Sequence, residues 1–129
     1  MVGAHAVAFH AKPRFTKDFD LFVEPTAENA GRIVAALADF GFAALGLTVD
    51  DFAVPGKVVQ LGVAPSRIDI ATSIDGVTFG EAWASKVRGT YGQEPMWFIG
   101  REALIRNKAA SGRPQDLADL PWLREPAPG

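Results

Sequence analysis

Three aspartates have the spacing and surroundings of chemistry. Asp18 and Asp20 lie one residue apart in TKDFDLFV, residues 16–23. Aspartate is a poor strand former, yet Phe19 to Val23 reads as a strand. Side chains alternate faces along a strand, so both carboxylates point the same way. Like charges that close repel, and beside apolar neighbours they need a positive partner to stay ionised. A divalent cation supplies one, and ligation by oxygen alone suits Mg²⁺ or Mn²⁺ better than zinc. The bland alternative is a solvated edge strand, with Lys12, Arg14 and Lys17 as counter-charges. Asp69 shifts the balance. In RIDIA, residues 67–71, it stands between Ile68 and Ile70 and so faces away from both. If the two strands are neighbours, three carboxylates converge. Such a trio can hold two cations, the clamp used for in-line displacement at phosphorus.

Other residues are more ambiguous. Lys108 reads either as a solvated lysine on a helix end, interacting with the helix dipole, or as a point charge for phosphate. Arg101, Arg106, Lys108 and Arg113, with only Glu102 against them, make the one clear basic patch, which could meet a triphosphate or an RNA end. Arg113, Asp116 and Asp119 read as an ion-pair and capping network. Arg14 is either a phosphate contact or a brace for Asp18. His5 and His10 miss the i, i+4 spacing of a helical metal pair, so His10 is taken as a loop or site-wall residue. Trp83, Trp97 and Trp122 read as core or partner surface rather than base-stacking platforms. Gly76, Gly89, Gly92 and Gly100 read as turn positions.

The elements that must position these residues follow from pattern. Ala4 to Phe9 fits a short helix ending before Pro13. Thr26 caps a helix that runs to Phe40, with Ile33, Val34, Leu37 and Phe40 at helical spacing and Gly41 as its stop. Thr48 to Phe52 fits a short capped turn. Lys57 to Gly62 and Arg67 to Thr72 fit two strands of an antiparallel hairpin around the short APSR segment. Phe79 to Val87 fits a helix, Met96 to Ile99 a strand, Arg101 to Ala110 a helix, and Gln115 to Leu123 a last helix containing Pro121. The expected fold is α/β (α+β), a mixed β-sheet flanked by helices.

Composition sets the bounds. The chain has 129 residues, 48% apolar and 22% charged, with a formal net charge of −2. That suits one domain, expected over 1–123, with 124–129 as a flexible C-terminal tail. No global field draws it to nucleic acid or an anionic membrane. Without cysteine there is no disulfide framework, zinc–thiolate site or thiol nucleophile. No apolar run approaches the ~20 residues of a membrane span, and the start lacks a basic leader, so a cytoplasmic protein with no membrane role is expected. The chain opens abruptly in apolar residues, as if its start cut into an element.

Taken jointly, these motifs resemble the nucleotidyltransferase fold of the DNA polymerase beta superfamily, and most closely its small bacterial branch that includes AbiEii-type toxins. The resemblance rests on GAHAVAFHAKPRFTKDFDLFV at the start, SRIDIATSIDGVTFGEAW in the middle and LIRNKAASGRPQDLADL near the end. It implies a Mg²⁺-dependent (or Mn²⁺-dependent) transfer of a nucleoside monophosphate from an NTP to an acceptor. The acceptor could be an RNA end, a protein hydroxyl or a small molecule. Asp18, Asp20 and Asp69 would be the catalytic metal ligands, Asp69 also helping to deprotonate the acceptor. Gly3, Ala4, Arg14, Lys17 and Lys108 would bind the nucleotide. The branch has a helix and strand before its glycine, so a shortened N-terminus is expected here. Its pattern is Gly followed by Gly or Ser, whereas Ala4 offers only a backbone N–H. The alternative is therefore a catalytically inactive, nucleotidyltransferase-like binding or regulatory module. Either could belong to a toxin–antitoxin pair, with an antitoxin or a second copy of the chain as partner.

Overall fold

The strand that carries Asp69 is the middle of the sheet. In the computed structural model the described residues are 1–10, 19–42, 45–62, 67–91 and 93–124. Strand β3 (Ile68–Ala71) pairs in parallel with β1 (Phe19–Phe22) and antiparallel with β2 (Val58–Leu61), giving the mixed order β1-β3-β2. The expected hairpin of β2 and β3 is present. A parallel pair needs a crossover, and the chain between β1 and β3 supplies it with helix α2 (Ala27–Leu37) and β2.

Strand alternation gives this sheet two unlike faces. Ile68 and Ile70, with Val59 and Leu61 across the ladder, join Ala30 of α2 and Phe52 in one apolar cluster. The opposite face carries Val58, Gln60, Asp69 and Ala71, with Asp20 beside Asp69. Helix α2 forms because Thr26 caps it, its hydroxyl accepting from the Asn29 N–H at 3.2 Å. It packs through Ala30, Ile33, Val34 and Leu37. It ends at Leu37 rather than Phe40, and residues 38–42 form a wider turn through Gly41, whose φ of 95° is left-handed.

A second, two-stranded ribbon pairs β4 (Val87–Tyr91) with β5 (Glu94–Phe98). It overturns part of the sequence reading. The helix expected over 79–87 is α3 (Phe79–Ala84), and Val87 already opens a strand. The β-branched Val87 and Thr90, with Tyr91, favour extended chain. Gly89 is no turn residue. It sits mid-strand under the stacked rings of Phe9 and Phe98, 4.3 Å apart, and a Cβ there would come within 2.8 Å of Phe9. Gly100 is likewise the N-cap of a helix, and Gly76 alone of the described trio is the turn expected, with φ 75°. Gly92 lies outside the described residues.

Residues 1 and 2 join the two sheets. Met1 N–H donates to Trp97 O at 2.8 Å, Ile99 N–H to Met1 O at 3.0 Å, and Val2 N–H to Asp20 O at 3.0 Å. Helix α1 (Gly3–His10) starts directly from this bridge. Helices α4 (Arg101–Ser111) and α5 (Pro114–Arg124) pack against it. Ala6, Val77, Phe98, Ile99, Leu104 and Leu123 lie in the second apolar cluster. Gly112, at φ 65°, ends α4, and Pro114 starts α5 at the position where a missing N–H costs least. Pro121 lies inside α5, where Leu120 and Leu123 are buried on either side of it. Residues 125–129 of the expected tail lie outside the described residues. Among the described residues no helix is long and apolar enough to cross a membrane.

Candidate functional site

The polar face of the sheet is the floor of a cleft of about 1060 Å³, and α4 and the start of α5 form its other wall. Asp20 and Asp69 are Cα partners in the parallel ladder, so both carboxylates stand on the same face of adjacent strands. Adjacent strands run ~4.8 Å apart, so one small cation can reach both side chains. Gly3 lies against Asp20. A Cβ built on Gly3 would fall 2.2 Å from Asp20 Oδ2, and its φ is 68°. Glycine is therefore required there twice over, by backbone conformation and by the close approach.

Asp20, Asp69, Gly3 and Lys108 of the expected site thus line one cleft. Ala4 follows Gly3 in the first turn of α1. Asp18, Arg14 and Lys17 lie outside the described residues. Among the described residues no group of three or more His, Cys, Asp or Glu side chains could hold a metal ion.

Arg67 is the residue that sequence reading missed. Its Nε lies 3.0 Å from Asp69 Oδ1, and its terminal NH2 donates to Oδ2 at 3.1 Å. The signal was available: positions 67 and 69 are i and i+2 on one strand, hence on one face. Asp69 therefore has a cationic partner already, which the expectation of simple like-charge repulsion did not include.

Lys108 is not the solvated lysine of the bland reading. It is 6% exposed, with Nζ 2.7 Å from Asp116 Oδ1 and 3.5 Å from Asp119 Oδ2. Asp116 also accepts from Arg113 Nε at 2.9 Å and from the Ser111 hydroxyl. The expected network of Arg113, Asp116 and Asp119 is thus real, and Lys108 sits inside it. Burial pushes the Asp116 pKa up, but hydrogen bonds from Lys108, Ser111 and Arg113, with the Lys108 charge, together hold it below 3.8.

The basic patch dissolves into separate partnerships. Arg106 pairs with Glu81 at 2.8 Å. Arg101 donates to the backbone oxygens of Leu123, at 2.8 Å, and of His10. Only Lys108 and Arg113 of the four line the cleft. His10 is the last residue of α1 and not a cleft-wall residue, its Nε2–H donating to Ile99 O at 2.6 Å. Burial lowers its pKa below 6.5 against that hydrogen bond, and Arg101 lowers it further. The tryptophans are surface rather than core, 49%, 44% and 45% exposed at Trp83, Trp97 and Trp122. Lys86 lies over the first two rings, 4.1 and 4.8 Å from their centroids.

No family model matches the chain, and no curated protein matches it in sequence.

Proposed function

We propose that this chain is a nucleotidyltransferase-fold protein that moves a nucleoside monophosphate from an NTP to a hydroxyl acceptor with Mg²⁺. The observation that carries the reading is the register of Asp20 with Asp69 on the cleft face of the sheet, with Gly3 pressed against Asp20. Two carboxylates on adjacent strands offer the hard oxygen donors that Mg²⁺ prefers, and Asp18, two residues before Asp20 on the same strand parity, would complete the set. Bound Mg²⁺ supplies charge for the triphosphate and makes the attacking hydroxyl easier to ionise.

The roles of the chain's own residues follow. Asp18, Asp20 and Asp69 hold the cations. The backbone N–H groups at Gly3 and Ala4 bind phosphate oxygens. Arg14, Lys17 and Lys108 add positive charge around the triphosphate. The acceptor oxygen forms a bond to the α-phosphorus, the bond from that phosphorus to the bridging oxygen of the β-phosphate breaks, and pyrophosphate leaves. Asp69 takes the hydroxyl proton at a carboxylate oxygen. The acceptor is an RNA end, a protein hydroxyl or a small molecule, and an antitoxin or a second copy of the chain is the regulatory partner.

A second reading has its own support. Ala4 lacks the hydroxyl that a serine would offer at a position where the resembled family has Gly or Ser, and Arg67 already donates to Asp69 Oδ2. These favour a nucleotide-binding or regulatory module without turnover. Incubating the protein with Mg²⁺, each labelled NTP, total RNA and lysate protein separates the two. Label transfer that disappears in Asp20→Ala and Asp69→Ala supports the enzyme. Nucleotide binding without transfer supports the module. If neither Mg²⁺ nor any NTP raises the melting temperature, both readings fail, since a ligand at ~100 Kd stabilises by about 2.7 kcal/mol.

A further inference from the structure

We propose that Arg67 is an exchangeable internal cation of this site, which holds Asp69 in the metal-free protein, yields it to a divalent ion and then engages the triphosphate. The inference rests on the reading above, that the cleft takes a divalent cation and a triphosphate, and names a control on it.

Three observations carry it. The guanidinium holds Asp69 by a hydrogen bond from its terminal NH2 to Oδ2 at 3.1 Å, and its Nε lies 3.0 Å from Oδ1 as an ion contact without hydrogen-bond geometry. A charge-assisted hydrogen bond of this kind occupies the carboxylate. A divalent ion on the same oxygens would be repelled by the guanidinium at a few ångströms, and a partly buried cleft screens this repulsion poorly. The two cations therefore compete. Second, the pair faces the cleft rather than the core: both residues line it, and the Arg67 side chain is 35% exposed against 15% for Asp69. Third, Arg67 stands at the start of β3, just before the first ladder pair among the described residues, at Ile68, and its long side chain reaches the same cleft that would hold the phosphates. A planar guanidinium suits phosphate oxygens as well as carboxylate oxygens.

The exchange makes opposite predictions for two ligands. Mn²⁺ is titrated alone, by electron paramagnetic resonance at fixed ionic strength, into the full chain and its Arg67→Gln, Arg113→Gln and Asp69→Asn variants. Magnesium tripolyphosphate, which carries no base, is titrated calorimetrically into the same set. Arg67→Gln is expected to bind Mn²⁺ about tenfold tighter, because its competitor is gone, and tripolyphosphate about tenfold more weakly, because a phosphate partner is gone. Arg113→Gln removes the same charge from the same cleft but no bond to Asp69. Its Mn²⁺ affinity is expected to change less than about threefold, as distant exposed charges do in salt. Asp69→Asn loses Mn²⁺ binding. A merely structural Arg67 would weaken both ligands together when replaced. Equal or weaker Mn²⁺ binding by Arg67→Gln overturns the exchange, and so does tripolyphosphate binding that is unchanged or tighter. In those cases Mn²⁺ binding by the unsubstituted chain leaves the functional reading standing. If neither the unsubstituted chain nor Arg67→Gln binds Mn²⁺, the functional reading falls and the exchange with it. Binding by Arg67→Gln alone would mean that Arg67 does not yield Asp69 to the ion, and it too overturns the exchange.

Discussion

One cleft has two charged walls, and they are built on different terms. The helix wall holds Lys108 and Arg113 against Asp116 and Asp119, equal numbers of each sign, with Lys108, Asp116 and Asp119 all 5–6% exposed. The sheet wall holds two carboxylates, Asp20 and Asp69, with one guanidinium, Arg67, at Asp69. Burying charge is costly unless it is neutralised and hydrogen-bonded. The helix wall meets that demand within itself and ties α4 to α5. On the sheet wall the register of β1 with β3 sets the two carboxylates side by side. A wall buried as a closed ion network serves stability, and a wall that brings two carboxylates together on the floor of a cleft can take a cation from outside.

The contrast is broken most directly at Lys108. In Lys108→Ala, Asp116 and Asp119 stay buried without their shared cation, and the Arg113 guanidinium at Asp116 is 77% exposed. Removing one member of a buried ion pair costs about 3–5 kcal/mol. Urea denaturation should show a loss of that size, and a loss under about 1 kcal/mol would mean that the helix wall is not the structural one. Gly3→Ala tests the sheet wall's backbone. It forces a side chain into φ 68° and against Asp20 Oδ2. About 1–2 kcal/mol of stability should go, with Mn²⁺ affinity falling as Asp20 is displaced. Unchanged Mn²⁺ binding would place the cation away from Asp20.

Acid should act on the helix wall through Asp116. The Asp116 pKa is below 3.8 in the folded chain. The unfolded state therefore takes up the proton first as pH drops. The stability that Asp116 contributes is fully present above 3.8 and is lost as pH falls through the lower folded value. Glu81, held down to about 2 chiefly by the Thr78 backbone N–H and then by Arg106, loses its contribution between 4.5 and 2 in the same way. Melting temperature measured from pH 5 to pH 2 should fall less steeply in Asp116→Asn than in the unsubstituted chain, after allowing for the common Glu81 slope seen in Glu81→Gln. Parallel curves for the two proteins would remove Asp116 from the acid response.

How much of this was legible depended on how local the cause was. Alternation around Asp69 gave its face, because Ile68 and Ile70 can only bury one way. Thr26 gave the start of α2, because a cap is set by one or two residues, whereas the stop expected at Gly41 falls inside the wider turn that follows Leu37. The β4–β5 ribbon was not legible. Trp83, Lys86 and Val87 continue a helical pattern, and only pairing with β5, a long-range event, decides for strand. Gly89 looked like a turn because its reason, the rings of Phe9 and Phe98, lies elsewhere in the sequence. The burial of Lys108 was hidden for the same cause, since it depends on α5 folding back onto α4. Arg67 is the opposite case, its place beside Asp69 following from strand parity alone.

The Arg67 pair changes the sign of the smallest effect. With Asp69 regarded only as a like-charge neighbour of Asp20, Asp69→Asn should stabilise the metal-free protein by relieving repulsion. With the Arg67 pair present, the same change removes a hydrogen-bonded ion pair whose acid is 15% exposed and whose base is 35% exposed. Solvent screens a pair of that kind, so its net worth is about 0.5–1 kcal/mol, and relief of repulsion from Asp20 offsets part of it. The expected outcome is a loss of about 0.5 kcal/mol in denaturant titrations without divalent metal. The double variant Arg67→Gln/Asp69→Asn should then lose less than the sum of the single changes, since the two share one interaction. A gain in stability in Asp69→Asn would mean that the acids dominate the guanidinium and that the sheet wall is under repulsive strain. Additive losses would mean that the pair contributes nothing and that Asp69 is held in place by β3 alone.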